Sequence, residues 1–468
     1  MKKLFLLLLL LPLLSYGEQP DPWLHIYRND VNFHSIKAEE ITNMTHHLSD
    51  DDSLDSLIVN TQEGRLPVAL SSIDRCEVGK NVPTVYITIP DYPDLTELYD
   101  KELYLSAMIS IDGNGVVDDL EPTAVSIKGR GNSTWNYVKK PYRLKFDKKI
   151  AICGLAKAKS YALIANYIDC TLMRNAVALK LGQLLEMPYT NHCQPIRVYF
   201  NGIFKGAYFI TEKIGITGAS VDIDEESGIL FEMDTNFDEA YKFWSMYYNL
   251  PMMVKDPDLS EIAELKGVTP ESLLSTWGDD FTEFERKVYE GEDLSTSLDM
   301  ESLVNYLLVY NVCGNREPVW PKSVYLYKAN AEDVYHFGPI WDFDWGFTYN
   351  DGVENQVTTL PMLDTFDYPQ YGGPFLKSIA TRPEFKALYK EKFDNFKANL
   401  LPQLLDYMDQ YADEIEPSAL ENGLIWSVEP GVTEGSFNFR ENVEKLKTWI
   451  LDRVEFISND PNYGLYSY

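Results

Sequence analysis

Residues Phe337 to Phe347 read Phe-Gly-Pro-Ile-Trp-Asp-Phe-Asp-Trp-Gly-Phe, which sets two carboxylates, Asp342 and Asp344, two positions apart in an apolar and aromatic run. If this run is extended, residues i and i+2 point to one face, so the two carboxylates converge while Phe343 packs on the other side. Two anions held side by side in an apolar frame repel each other and lose hydration. A divalent cation resolves both problems, and Mg²⁺ takes one or two carboxylates while leaving positions for phosphate oxygens. The plainer alternative is that one Asp caps a turn and the other pairs with an Arg.

Other stretches carry complementary chemistry. Lys128-Gly-Arg-Gly-Asn-Ser-Thr-Trp135 follows a run read as a strand. Its glycines let backbone amides approach an anion, and Arg130, Asn132 and Ser133 add donors. The stretch lacks the Walker and dinucleotide patterns, and a glycine turn with a salt-bridged Arg130 is the alternative. In Lys139-Lys-Pro-Tyr-Arg-Leu-Lys145, an extended chain puts Arg143 and Lys145 on one face, suited to phosphate or simply to solvent. Asp169 reads as the N-cap of a helix over Cys170 to Glu186. Glu212 ends a strand, where it could form the lysine–glutamate pair that orients ATP. Gly314 to Ser323 is a loop between an apolar helix and the hairpin leading to Asp342. Helix, loop, hairpin and metal-binding acid is the order of a kinase catalytic core.

The elements that must position these residues are legible in outline. The 468-residue chain starts Met-Lys-Lys, continues apolar from Leu4 to Leu14 and reaches Ser15-Tyr16-Gly17. This pattern predicts a signal peptide over residues 1–17, cut after Gly17, and an exported protein that is periplasmic, cell-surface or secreted. The run is too short to span a membrane. A net charge of −31 argues against nucleic acid and anionic lipid as partners. The five cysteines are scattered without a CxxC, and the adjacent His46-His47 lacks zinc-ligand spacing. Residues 18–80 read as a small β-rich module, with strands over Leu57 to Thr61 and Val68 to Ile73, and Lys80 to Pro83 as linker. Beyond Pro83 the pattern is α+β. Strands are expected over Thr84 to Pro90, Leu103 to Ile111, Val125 to Gly129, Tyr142 to Phe146 and Gly228 to Met233, with a hairpin across Asn201-Gly202. Asp112-Gly-Asn-Gly115 reads as a turn rather than a calcium loop. Residues 258–312 and Pro374 to Ser458 read as mainly helical, and Ser323 to Tyr327 is expected to pair with Tyr335 to Trp341.

Five blocks occur in order: Lys128 to Trp135, Lys140 to Phe146, Asn166 to Asn175, Gly206 to Glu212 and Trp341 to Trp345. Together they resemble the spore-coat CotH kinase family over residues 83–460, and the N-terminal module resembles those of secreted Bacteroides-type proteins. The resemblance implies an atypical protein-kinase-like, two-lobed fold over residues 83–468. It also implies ATP with Mg²⁺ (or Mn²⁺) as cofactors, and transfer of phosphoryl to Ser or Thr of a protein. It makes Lys145 the phosphate-contacting lysine with Arg143 beside it, Glu212 its acidic partner, Asp342 and Asp344 the metal ligands, and Trp341 a wall of the nucleotide site. Members usually carry an Asp in the loop after the Gly-Asn pair and an Asn before the following strand. Here Glu317 and Ser323 are nearest, in a loop one residue longer, so Glu317 is the expected base and Ser323 a second-metal ligand. Three readings follow: an exported kinase acting on a surface or coat protein or on itself, a non-catalytic surface or assembly protein that keeps the fold as a binding module, and a metal-dependent glycosyl-group transferase. The oligomeric state is open.

Overall fold

The computed structural model describes residues 22–28, 33–48, 54–92, 94, 98, 100–347, 358–364, 371–426 and 438–467. The expected signal peptide over residues 1–17 lies outside the described residues. Among the described residues no helix is long and apolar enough to cross a membrane.

Two three-stranded sheets begin the chain. They are built from β1 (Trp23–Arg28), β2 (Phe33–Lys37), β3 (Ile41–Leu48), β4 (Leu54–Thr61), β5 (Arg65–Ala69) and β6 (Ile73–Gly79), in orders β2-β1-β6 and β3-β4-β5. Leu24, Ile26, Leu57, Val59 and Val68 form their small core. Polar bonds tie this unit to the rest: Trp23 Nε1 donates to Asn114 Oδ1 at 3.3 Å, and Lys37 Nζ pairs with Asp112 at 2.6 Å.

A closed seven-stranded barrel follows, from β7 (Thr84–Thr88), β8 (Leu105–Asp112), β9 (Leu120–Gly129), β10 (Tyr142–Ile150), β11 (Ala158–Ile164), β12 (Gln194–Phe200) and β13 (Ile203–Glu212). Its order is β10-β11-β13-β12-β7-β8-β9; β7 and β12 run parallel, and the other pairs whose registers are defined run antiparallel. Period-two alternation fills it: Leu105, Ala107, Ile109 and Ile111 of β8 point inward, as do Tyr142, Leu144 and Phe146 of β10. Asn201 (φ 48°) and Gly202 (φ 79°) make the tight turn between β12 and β13, a left-handed geometry that Asn tolerates and that Gly, having no Cβ, adopts freely.

Helix α1 (Arg174–Leu184) lies between β11 and β12. It starts four residues later than expected. Leu172 is left-handed (φ 55°), and Asp169 spends one oxygen on the Thr171 amide (2.8 Å) and hydroxyl (2.6 Å). Asp169 therefore organises the turn before the helix, and only its other oxygen reaches a helical amide, that of Arg174 (2.9 Å).

A five-stranded antiparallel sheet comes next, in order β15-β16-β14-β17-β18, from β14 (Ile229–Met233), β15 (Lys242–Trp244), β16 (Pro251–Asp256), β17 (Val324–Lys328) and β18 (His336–Phe337). Helices α2 (Leu259–Lys266), α3 (Pro270–Glu290) and α4 (Met300–Val312) interrupt it, and α5 (Gly372–Ala380), α6 (Pro383–Asn395), α7 (Leu401–Ile425) and α8 (Phe439–Asn459) complete the main core. Every residue of α4 from Leu303 to Val312 is buried, which explains its nearly unbroken apolar sequence.

The C-terminal end of α4 is fixed by Arg453 of α8, which is 1% exposed. Its guanidinium donates to the Asn311 carbonyl (2.9 Å), the Asn311 side chain (2.6 Å) and the carbonyls of Thr358 and Leu360 (both 2.7 Å). Arg453→Met leaves the two buried Asn311 acceptors and two half-buried carbonyls without this donor, so a loss of about 2–4 kcal/mol is expected. Chemical denaturation checks it: the midpoint should fall at unchanged slope.

Candidate active site

A cleft enclosing about 1270 Å³, part of it open to solvent, lies between the barrel and the five-stranded sheet. Its walls are the turn after β9, the start of α1, strands β14, β16 and β17, the loop after α4, and Trp341 to Asp344.

Asp342 and Asp344 both line this cleft, but not as alternate residues of a strand. The strand ends at Phe337, and Asp342 is left-handed (φ 63°), so the extended reading of this segment is corrected. Phe343 is fully buried and packs on Tyr310, with ring centroids 4.7 Å apart. Three elements hold the segment. Tyr310 Oη of α4 donates to the Trp341 carbonyl (3.1 Å), and Asn315 Nδ2 to the Asp342 carbonyl (2.9 Å). At the start of α1, Asn175 accepts the Phe343 amide (2.8 Å) and donates to the Asp344 carboxylate, while Arg174 donates to the Asp344 carbonyl (2.9 Å). Asn175 and Arg174 are therefore positioning residues.

Both carboxyls are disfavoured as anions in this position. Burial pushes Asp344 up to about 7; Asp342 and Asp169 add to this, against Arg174 and Asn175. Burial likewise raises Asp342, although Arg130 opposes it. Among the described residues neither carboxylate forms an ion pair, although Asp342 also caps the turn by accepting the Asp344 amide, and Arg130 and Arg174 face the two acids as more distant charges. Two hard oxygen donors on one cleft wall, each disfavoured as an anion, fit Mg²⁺ or Mn²⁺. No group of three or more His, Cys, Asp or Glu able to hold a metal occurs among the described residues. Mg²⁺ does not need one, since it is commonly held by one or two carboxylates plus water and phosphate.

Glu317 and Ser323 also line the cleft. Glu317 is oriented by Asn315, whose Nδ2 donates to it at 3.4 Å and whose Oδ1 accepts the Glu317 amide at 2.9 Å. Burial raises the Glu317 carboxyl well above its ordinary range, and the charge of Asp342 adds to the effect. Ser323 is left-handed (φ 49°), and its amide donates to Asp234 (3.0 Å). Arg130 sits over Trp341, 5.4 Å from the ring centroid, while Asn132 and Ser133 are exposed at the rim.

Lys145 and Glu212, expected to meet as an ion pair, do not. Because Tyr142, Leu144 and Phe146 fill the barrel, Arg143 and Lys145 take the outer face, and Lys145 is exposed with its ammonium 5.8 Å from the Tyr104 ring centroid. It does not line the cleft. Glu212 is buried against His192, pairing with the ring at 2.9 Å and accepting the backbone amide at 3.0 Å. The cleft instead carries a pair that sequence reasoning missed. Lys255 of β16 contacts Glu232 of β14 and Glu239, each at 2.8 Å, and Tyr325 Oη donates to Glu232 at 2.8 Å. Burial pushes Glu232 up despite Lys255, while the two carboxylates together hold Lys255 up against burial. One ammonium shared between two carboxylates accounts for both directions. The available signal was a charge interrupting each of two apolar runs, Glu232 in Ile-Leu-Phe-Glu-Met and Lys255 after Pro-Met-Met-Val, where Asp256 follows it.

The family model described as CotH kinase protein matches residues 127–457, from the end of β9 into α8, and so includes every side chain of this cleft. No curated protein matches the chain.

Proposed function

Because the chain belongs to the CotH kinase family, we propose that its cleft transfers phosphoryl from ATP to a Ser or Thr hydroxyl of a protein, either a surface or coat protein reached after export or the chain itself. The observation that carries this reading is the opening of Asp342, Asp344 and the Lys255–Glu232 pair into one cleft. Asp342 and Asp344 would hold Mg²⁺ or Mn²⁺, which when bound supplies positive charge against phosphate oxygens.

The protein's own groups divide the remaining work. Lys255, held by two carboxylates, presents a fixed ammonium to the phosphates and takes the role first expected of Lys145. Arg130 adds a second cation, and Trp341 walls the site against water. Glu317 accepts the hydroxyl proton, with Asn315 fixing its direction. Glu reaches about one methylene further than Asp, so the segment around Pro318 and Ser323 must set the base back by the same amount.

Glu317→Gln tests the base. Transfer should fall about 100-fold or more while Mg²⁺-ATP affinity stays within a factor of about 3. Transfer that survives the substitution removes Glu317 from the mechanism. The second reading, a non-catalytic binding module, is favoured by Glu317 and Ser323 standing where the family usually has Asp and Asn. It predicts metal-dependent nucleotide binding with no transfer in the unaltered protein.

A further inference from the structure

Beside the acidic cleft lies a second pocket of opposite character. It shares the Arg130–Asn132 turn, Asp238, Lys255, Tyr325 and Trp341 with the cleft but contains neither Asp342 nor Asp344. Strand register builds it. Arg143 of β10 stands directly opposite Lys128 of β9 and opposite Ala162 of β11, and Ala162 pairs with Thr211, two residues before Lys213. The small, buried Ala162 leaves a floor between the cations.

Like charges directly opposite on neighbouring strands cost stability. Here the chain does not relieve them, although it has 72 acidic residues against 41 basic ones. Among the described residues Lys128, Arg143 and Lys213 form no ion pair with a carboxylate, and the buried Arg143 Nε has no hydrogen-bond partner. The Lys128 ammonium lies 5.1 Å from the Tyr104 ring centroid. Burial lowers Lys213 to about 8, with Arg143 and Lys255 adding repulsion, and Asp256 and Glu239 only partly offset this. The two carboxylates on the lining, Glu102 and Asp238, belong to exposed residues. Arg143 offers a planar fork that matches a phosphate, and flanking ammonium groups add point charges.

We infer that Lys128, Arg143 and Lys213 form a phosphate-binding pocket separate from the metal-binding acids. Its ligand is the phosphate group of either a nucleotide or an already phosphorylated protein. The inference goes beyond phosphoryl transfer and does not depend on it.

The test uses the full chain in EDTA, so that metal-dependent nucleotide binding plays no part. Inorganic phosphate is titrated by calorimetry at constant ionic strength, and melting is followed in parallel. Arg143→Gln combined with Lys213→Gln should weaken phosphate binding at least tenfold and abolish stabilisation by phosphate. Lys148→Gln, at an exposed position further along β10, should change neither. If the double variant fails to fold, Lys128→Gln alone should still weaken binding several-fold. Competition by metal-free ATP would identify a nucleotide tail as the source, and competition by a phosphoserine peptide would identify a phosphorylated protein. Phosphate affinity equal in the unaltered protein and the variants overturns the inference. So does the absence of saturable phosphate binding up to about 10 mM.

Discussion

Asp344→Asn is expected to abolish metal-dependent ATP binding and to reduce phosphoryl transfer by about 10³-fold or more, while making the metal-free protein more stable. The first effect follows from the loss of one of the two carboxylates proposed to hold the cation, a contribution of several kcal/mol at about 1.4 kcal/mol per factor of ten. The second follows from the direction of the shift. Burial and neighbouring negative charge raise the folded-state pKa of Asp344 to about 7. A carboxyl raised on folding stabilises the native state below its unfolded pKa, and that stability is lost as pH rises through the folded value. At neutral pH the charge is a cost, and an amide of the same shape removes it. Asn175 can still donate to the new side-chain oxygen. Differential scanning calorimetry should show a higher melting temperature for the variant without metal. Added Mg²⁺ should raise the melting temperature of the unaltered protein alone. A variant that is less stable and still responds to Mg²⁺ would contradict the assignment.

Lys255→Met should be damaging in two separable ways. It leaves Glu232, with a side chain 8% exposed, and Glu239, at 35%, without their shared ammonium. Removing one member of a buried pair costs about 3–5 kcal/mol, reduced here by the solvent around Glu239. The pair holds Lys255 above its ordinary pKa, so its contribution is complete at neutral pH and disappears only in strong alkali. Transfer should also fall about 100-fold or more through loss of the phosphate-facing charge. Adding Glu232→Gln should recover much of the stability, because the buried carboxylate is gone, but none of the activity. Recovery of both would make the pair structural only; recovery of neither would mean that Lys255 acts through Glu239.

Much of this site could be read before the fold was seen. Asp342, Asp344, Glu317, Ser323, Arg130 and Trp341 all reach one cleft, because each sits in a segment whose local composition is unusual: an acid in an aromatic frame, a glycine turn, or a polar loop after an apolar helix. The reason for the convergence of the two Asp residues was misread, since a left-handed residue rather than strand alternation turns them inward. Lys145 and Glu212 failed for a different reason. Alternation fixed which face of β10 Lys145 occupies, but only closure of the barrel decides what that face meets. Closure depends on the parallel pairing of Thr84–Thr88 with Gln194–Phe200, a long-range contact with no local signature. Lys255 and Glu232 were missed because they meet across β14 and β16, and a charge in an apolar strand does not announce its partner.

Isothermal titration of the full chain with ATP, with and without Mg²⁺, beside Asp342→Asn and Asp344→Asn, reads whether the acid pair serves metal-dependent nucleotide binding. Binding should be saturable, require Mg²⁺ and be lost in both variants. No Mg²⁺-dependent binding by the unaltered protein, or binding that both variants retain, would contradict that role.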